Sequence, residues 1–339
     1  MIYNDKLQML NFEYLKNLNK EQKEAVSYLE GPLLIVAGAG SGKTKVLTSR
    51  IAHIIKSKKA YPNQILSVTF TNKASQEMQT RVSSMLKKEA IGLSWLGTFH
   101  SVSAKILRKH AGAVGLNSNF SIIDQDDQIR LIKNICKSEN IDIKKLAPNY
   151  ILSVINNWKN KGLYPEKVTL NKKNIFEKGI LNIYKIYQSK LIDLNACDFG
   201  DLILHCVNIF ENNQDILEIY SNNFKYILVD EYQDTNFIQS KWLNFLAKKH
   251  NNICCVGDDD QSIYSWRGAE IKNFLEFDKV YENTKIVRLE KNYRSTQNIL
   301  EVASELISNN QNRVGKNLET TKDTGDLVKL NCFKNAKDE

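Results

Sequence analysis

Residues Ala37, Gly38, Ala39, Gly40, Ser41, Gly42, Lys43 and Thr44 spell a phosphate-cradling loop. The spacing is G-x-x-x-x-G-K-[ST], with Ala37 in the first glycine slot. Glycines reach backbone angles closed to other residues, so successive N–H groups can converge on phosphate oxygens. The start of the helix that follows adds partial positive charge. Lys43 is placed to reach the β- and γ-phosphates, and the Thr44 hydroxyl to ligate Mg²⁺. Such a loop needs a carboxylate at the end of another strand to hold the metal, and a base to orient water. The run YILVDEYQD supplies both: Asp230 ends an apolar stretch and reads as the Mg²⁺ ligand, and Glu231 as the group on the attacking water. The adjacent glutamate favours hydrolysis of a nucleoside triphosphate over phosphoryl transfer to a metabolite.

The elements needed to position these groups are legible from periodicity. A helix is expected from Asn19 to Leu29, then a strand at 33–37, a glycine turn and a helix from Lys43 to Lys56. A second strand at 65–70 leads into a helix through Met78 and Leu86. Strand, turn, helix, strand is the signature of a parallel sheet covered by helices. From 101 to 222 the apolar spacing turns helical almost throughout, with no convincing strand pair. Strands resume at 226–230, 253–257 and 285–289. The expected class is therefore α/β, a P-loop NTPase parallel sheet interrupted by an all-helical insertion. Residues 307–326 are polar and read as a linker or an exposed edge.

Composition agrees with a globular chain. Of 339 residues, 42% are apolar and 25% charged, and the longest apolar stretches fall far short of a membrane span. The opening residues MIYNDKLQML lack a basic segment followed by an apolar one, so no signal peptide is expected. Six cysteines without a C-x-x-C pair suit a reduced, cytoplasmic chain with no zinc site. Net charge is +9, and residues 131–190 hold twelve lysines against four acids, a net of +8. Trp158, Tyr164, Tyr184 and Tyr187 are interleaved with those lysines, a pattern that fits a polyanion partner or a solvated surface.

Read together, LNKEQKEAV (18–26), the phosphate loop, VTFTNKASQEM (68–78), GTFHS (97–101), DFGDL (198–202), LVDEYQDTN (228–236), VGDDDQSIYSWRGA (256–269) and NYRS (292–295) resemble the UvrD/Rep/PcrA family of superfamily 1 DNA helicases. The resemblance implies ATP and Mg²⁺ as ligands and single-stranded DNA, with its junctions to duplex, as the partner. It casts Gln22 as the adenine reader, although Gln22 also fits a capping box with Asn19. Gln261 would link the γ-phosphate to the DNA groove, Tyr293 would stack on adenine, and Arg294 would act as an arginine finger. Lys45 stands where the family usually carries an arginine near the base, and lacks its flat guanidinium face. Phe70, Tyr264 and Trp266 match the rings along the family's single-strand groove, where stacking tolerates any sequence. Thr71, Asn72, His100 and Arg267 fall in motifs that touch DNA phosphates or brace the groove.

The same resemblance implies a RecA-like motor domain at 1–100 and 223–290, a helical DNA-binding insertion at 101–222, and the start of a second motor domain at 291–339. ATP would bind between the two motor domains, so this portion alone is expected to bind nucleotide weakly and not to unwind. The reading that follows is the N-terminal half of a 3′→5′ DNA translocase serving repair or replication. A module that binds single-stranded DNA and nucleotide without turnover is the alternative.

Overall fold

In the computed structural model, residues 12–170, 175–311 and 313–333 are described. The opening segment MIYNDKLQML, read for a leader, lies outside them. Asn19 caps α1 (Lys20–Ser27), two residues short of the expected end. The chain then runs through β1 (Leu33–Ala37), α2 (Lys43–Lys56), β2 (Ile65–Thr69), α3 (Asn72–Leu86), β3 (Leu96–Thr98) and α4 (Phe99–Lys109). A short strand, β4 (Ser121–Ile122), precedes three helices, α5 (Gln125–Ser138), α6 (Pro148–Asn160) and α7 (Ile175–Asp193). After them come β5 (Ala196–Cys197), α8 (Phe199–Asn212), α9 (Gln214–Asn223), β6 (Tyr226–Val229), α10 (Phe237–Ala247), β7 (Ile253–Gly257) and β8 (Lys285–Leu289). The chain continues with β9 (Lys291–Asn292), α11 (Gln297–Ser308) and β10 (Glu319–Thr320).

Six strands form one parallel sheet in the order β3-β2-β6-β7-β1-β8. Every residue of β1, β2, β6 and β7 is buried, as expected where helices cover both faces. Because all strands point the same way, their C-terminal ends share one edge of the sheet. On that edge the phosphate loop leaves β1, Asp230 follows β6, and Thr71 follows β2. Open parallel sheets bind ligands at this edge.

The helical insertion differs from its expected limits. α4, α8 and α9 pack with the strands in a core holding Val68, Phe99, Ile106, Leu204, Phe210 and Trp242. Among the described residues of the expected insertion, only the α5–α7 region closes a core of its own, built on Ile132, Ile155, Ile183, Tyr184 and Tyr187. The cores therefore divide near β4 and β5, which pair in parallel, and not at 101 and 222. This strand pair is one that periodicity did not reveal. The basic block also reads differently in three dimensions. Trp158, Tyr184 and Tyr187 are buried, with Trp158 and Tyr184 stacked at 5.8 Å, so these rings are core and not a polyanion-facing surface.

Lys159, counted in that block, is also buried. Its Nζ pairs with Asp198 at 2.6 Å and Asp201 at 2.7 Å, joining α6 to the start of α8. The Tyr187 hydroxyl donates to Asp198 at 2.9 Å, and the Gln188 amide to Asp201 at 3.0 Å. Burial alone would push the lysine pKa down, yet the two carboxylates reverse this and hold it above its ordinary value. Among the described residues no helix is long and apolar enough to cross a membrane.

Candidate functional site

The phosphate loop takes the left-handed backbone that only glycine adopts freely, with φ of +70° at Gly40 and +91° at Gly42. Gly38 is small for another reason: a Cβ there would stand 2.5 Å from the Leu318 side chain. Ala37 is buried as the last residue of β1. Both flanks of the loop are braced. Ser41 Oγ donates to the Gly38 carbonyl at 2.7 Å. On one side the Gln22 amide donates to the Ser41 carbonyl at 2.9 Å while its oxygen accepts from Asn19 N–H at 3.1 Å. On the other, the Asn292 amide donates to the Ala39 carbonyl at 2.6 Å, and Tyr293 N–H to the Gly40 carbonyl at 3.0 Å.

A cavity of about 420 Å³ opens above this loop, lined by Gly40, Lys43, Thr44, Lys45, Glu231, Gln261, Tyr293 and Arg294. Thus the sheet edge brings together most residues read from sequence. Gln22 is an exception: it is 1% exposed, hydrogen-bonded at both ends of its amide, and not part of the wall. Lys45 Nζ donates to the Asn17 carbonyl at 2.6 Å, and Asn19 Nδ2 to the Tyr293 hydroxyl at 3.0 Å, tying the chain before α1 to the pocket rim. Glu77 and Arg81, an i,i+4 ion pair on α3, also line the cavity and were missed. Their spacing on a helix reads as ordinary surface charge.

Lys43 Nζ lies 2.7 Å from Glu231 Oε2, the oxygen that also accepts from Gln233 Nε2 at 3.0 Å. Glu231 has φ +50° and ψ +44°, a left-handed backbone that costs energy for any residue but glycine and concentrates at functional sites. Asp230 sits one residue back, buried, and its N–H donates to the Val68 carbonyl at 3.1 Å. It is not among the lining residues. Burial, and then the Glu231 charge, push its pKa up to about 6, and the same two causes raise Asp234 to about 6. A carboxylate held above its unfolded pKa stabilises the fold at low pH, and that contribution is lost as pH rises from about 4 through 6. Asp230→Asn is therefore expected to raise the melting temperature of the ligand-free protein at pH 7.5 and to change it little at pH 4. Scanning calorimetry at both values checks this, and a gain independent of pH would contradict it.

The nucleic-acid candidates occupy the other half of the edge. Phe70 follows β2 and packs edge-on against Phe99 at 5.5 Å, half-buried. Thr71 Oγ1 caps α3 by accepting from Ala74 N–H at 3.1 Å, with Asn72 exposed beside it. His100 lies in the first turn of α4, and burial holds its pKa below the usual histidine value. Its ring meets the exposed Phe199 edge-on at 5.8 Å, which adds an aromatic that the sequence reading passed over as part of DFGDL. Trp266 is 72% exposed, with the Arg267 guanidinium 4.6 Å from its ring centre and 5.2 Å from that of Tyr264. Asn160 at the end of α6 donates to the Arg267 carbonyl at 3.3 Å and accepts from Asn236 at 3.0 Å, so the insertion steadies this loop.

A parallel sheet with a phosphate loop after β1 and an acid pair after its second neighbour β6 defines a P-loop NTPase domain. The chain belongs to the UvrD/REP helicase family, whose N-terminal domain it matches over residues 18–282, while residues 287–339 match the UvrD-like helicase C-terminal domain. It is similar to a probable DNA helicase II homolog of Rickettsia conorii, with 49% identity over 326 residues, covering 95% of this chain and 49% of that protein. It is similar also to the ATP-dependent DNA helicase PcrA of Bacillus subtilis, with 46% identity over 322 residues, 95% of this chain and 43% of that one. The chain spans about half the length of the curated relatives it matches.

Proposed function

We propose that this chain is the N-terminal half of an ATP-driven motor that moves 3′→5′ on single-stranded DNA, in repair or replication. The observation that carries the reading is positional. The cavity over the phosphate loop and the exposed rings share one edge of one sheet, and the loop after β7 bears both Gln261 and Trp266. The activity for which the PcrA relatives are named, ATP-dependent DNA helicase, agrees with it.

In this reading Lys43 leaves Glu231 to meet the β- and γ-phosphates, which frees Glu231 to orient water. Arg294 would neutralise charge developing on the γ-phosphate, and Tyr293 with Lys45 would flank the base. Gln22 supports the loop from below. The donor set suits Mg²⁺: Thr44 offers a hydroxyl, and Asp230 is a carboxylate whose raised pKa a nearby cation would lower. Mg²⁺ held there would supply charge neutralisation on the phosphates. Single-stranded DNA and its junctions with duplex are the assigned partners, together with the second motor domain that completes the nucleotide cleft.

ATP hydrolysis by the 339-residue chain with and without oligo(dT) tests the proposal. Stimulation by DNA supports the motor. Binding of both ligands without turnover would leave the non-catalytic module. Trp266→Ala is expected to weaken oligo(dT) binding about tenfold, within the roughly 1–3 kcal/mol of a lost base–aromatic stack, with ATP affinity unchanged. Fluorescence anisotropy checks this, and an unaltered isotherm would remove the stacking role. Affinity should also fall steeply between low and high salt.

A further inference from the structure

The carboxylates of Asp258, Asp259 and Asp260 converge within 4.8 Å, a cluster that elsewhere could surround a metal ion. Here one ammonium fills the centre. Lys316 Nζ lies 2.7 Å from Asp258, 2.8 Å from Asp259 and 2.6 Å from Asp260, and its side chain is 2% exposed. Arg313 grips Asp260 with two bonds of 2.6 and 2.7 Å, and Val314 N–H donates to Asp259 at 2.8 Å. The acids belong to the loop after β7, whereas the cations belong to the segment after α11, within the part that matches the family's C-terminal domain.

Asp258 extends this contact toward the nucleotide pocket. One of its oxygens meets Lys316, and the other accepts from the Gln261 amide. Its N–H donates to Gln233 Oε1 at 3.0 Å, and Gln233 Nε2 in turn holds Glu231. Gly257 leaves room for this bridge, since a Cβ there would stand 2.6 Å from Gln233 Oε1. Without Lys316, three carboxylates would face one arginine, and their mutual repulsion would spread the loop.

We infer that Lys316 is a positioning residue that fixes Asp258 and, through it, the Gln261 amide at the phosphate end of the pocket. The segment 313–316 thereby sets how well the pocket tells a nucleoside triphosphate from a diphosphate. This rests on the nucleotide reading given above.

The test is the affinity of the whole 339-residue chain for ADP and for ATPγS, measured by displacement of a fluorescent ADP. Lys316→Met is expected to weaken ATPγS binding about tenfold, the scale of one charge-assisted hydrogen bond, with ADP affinity unchanged. Gln261→Ala should do the same. Lys316→Arg, which keeps the charge and can still pair with carboxylates, should restore the preference. An unchanged preference, or equal weakening of both nucleotides, overturns the inference. Hydrogen exchange at the amides of Asp258, bonded to Gln233, and of Asp260 and Gln261, bonded within this loop, gives a second readout. Exchange should quicken in Lys316→Met and slow again in Lys316→Arg, and identical rates overturn the inference. Should the parent bind neither nucleotide, the nucleotide reading falls, and exchange alone decides whether Lys316 orders the loop. Arg313→Met covers the case in which Lys316→Met does not fold: a smaller shift in the same direction supports the inference, and none overturns it.

Discussion

Lys43→Ala is expected to lower the affinity for ATP about a hundredfold or more. Each charge-assisted hydrogen bond to a phosphate contributes roughly 1.5–3 kcal/mol, and this lysine is the loop's side-chain cation. The backbone cradle alone cannot replace it. Glu231→Gln should behave in the opposite way at the binding step. Glu231 holds Lys43 at 2.7 Å, and a nucleotide that engages the lysine must break that pair. Neutralising Glu231 removes the competitor. ATP binding by Glu231→Gln is expected to match or exceed that of the parent, while hydrolysis is lost. Calorimetric titration of both variants, with phosphate release assayed where the second motor domain is supplied, decides the matter: equal affinity in Lys43→Ala and the parent would dismiss the phosphate contact, and parent-rate turnover in Glu231→Gln would move the water-orienting role elsewhere.

Lys159→Met should cost about 3–5 kcal/mol of folding stability, the range for stripping one partner from a buried ion cluster. Asp198 and Asp201 would be left fully buried, facing each other without a counter-charge. The loss should be largest near neutral pH, where both carboxylates would otherwise be ionised, and smaller in acid. Adding Asp198→Asn and Asp201→Asn to Lys159→Met is expected to recover most of it, because the uncompensated charge is then gone. Urea midpoints for the single and triple variants measure both. A single variant as stable as the parent would mean that the helical insertion and the sheet body do not depend on this joint.

What could be read from the chain follows from how locally each signal is written. The phosphate loop, its flanking strand and helix, and the carboxylates after β6 are encoded by neighbours in sequence, so their types and spacing sufficed. The rings around Lys159 were misread because spacing identifies a helix without saying which face meets another element. Trp158, Tyr184 and Tyr187 turn inward onto Ile155 and Ile183. Gln22 was legible as a cap for α1, but its bond to Ser41 depends on how α1 lies against the loop. The pairing of Lys316 with the acids after β7 had no sequence signal at all. A lysine in a polar stretch carries no mark of the carboxylates that the fold brings to it. Where the cores divide was not legible for a related reason: α4 and α8 have ordinary amphipathic patterns, and only tertiary packing joins them to the sheet.

The strand order has a consequence for synthesis. β1 takes both of its neighbours, β7 and β8, from Ile253 onward. A ribosome therefore releases this apolar ribbon more than two hundred residues before either flank can be zipped shut. During that interval its unpaired edges can template association with other nascent chains. The α5–α7 bundle, made from nearly consecutive residues, can condense meanwhile. Maturation of the nucleotide site is thus a late event, and chaperone capture would be most useful while the middle of the polypeptide is still emerging.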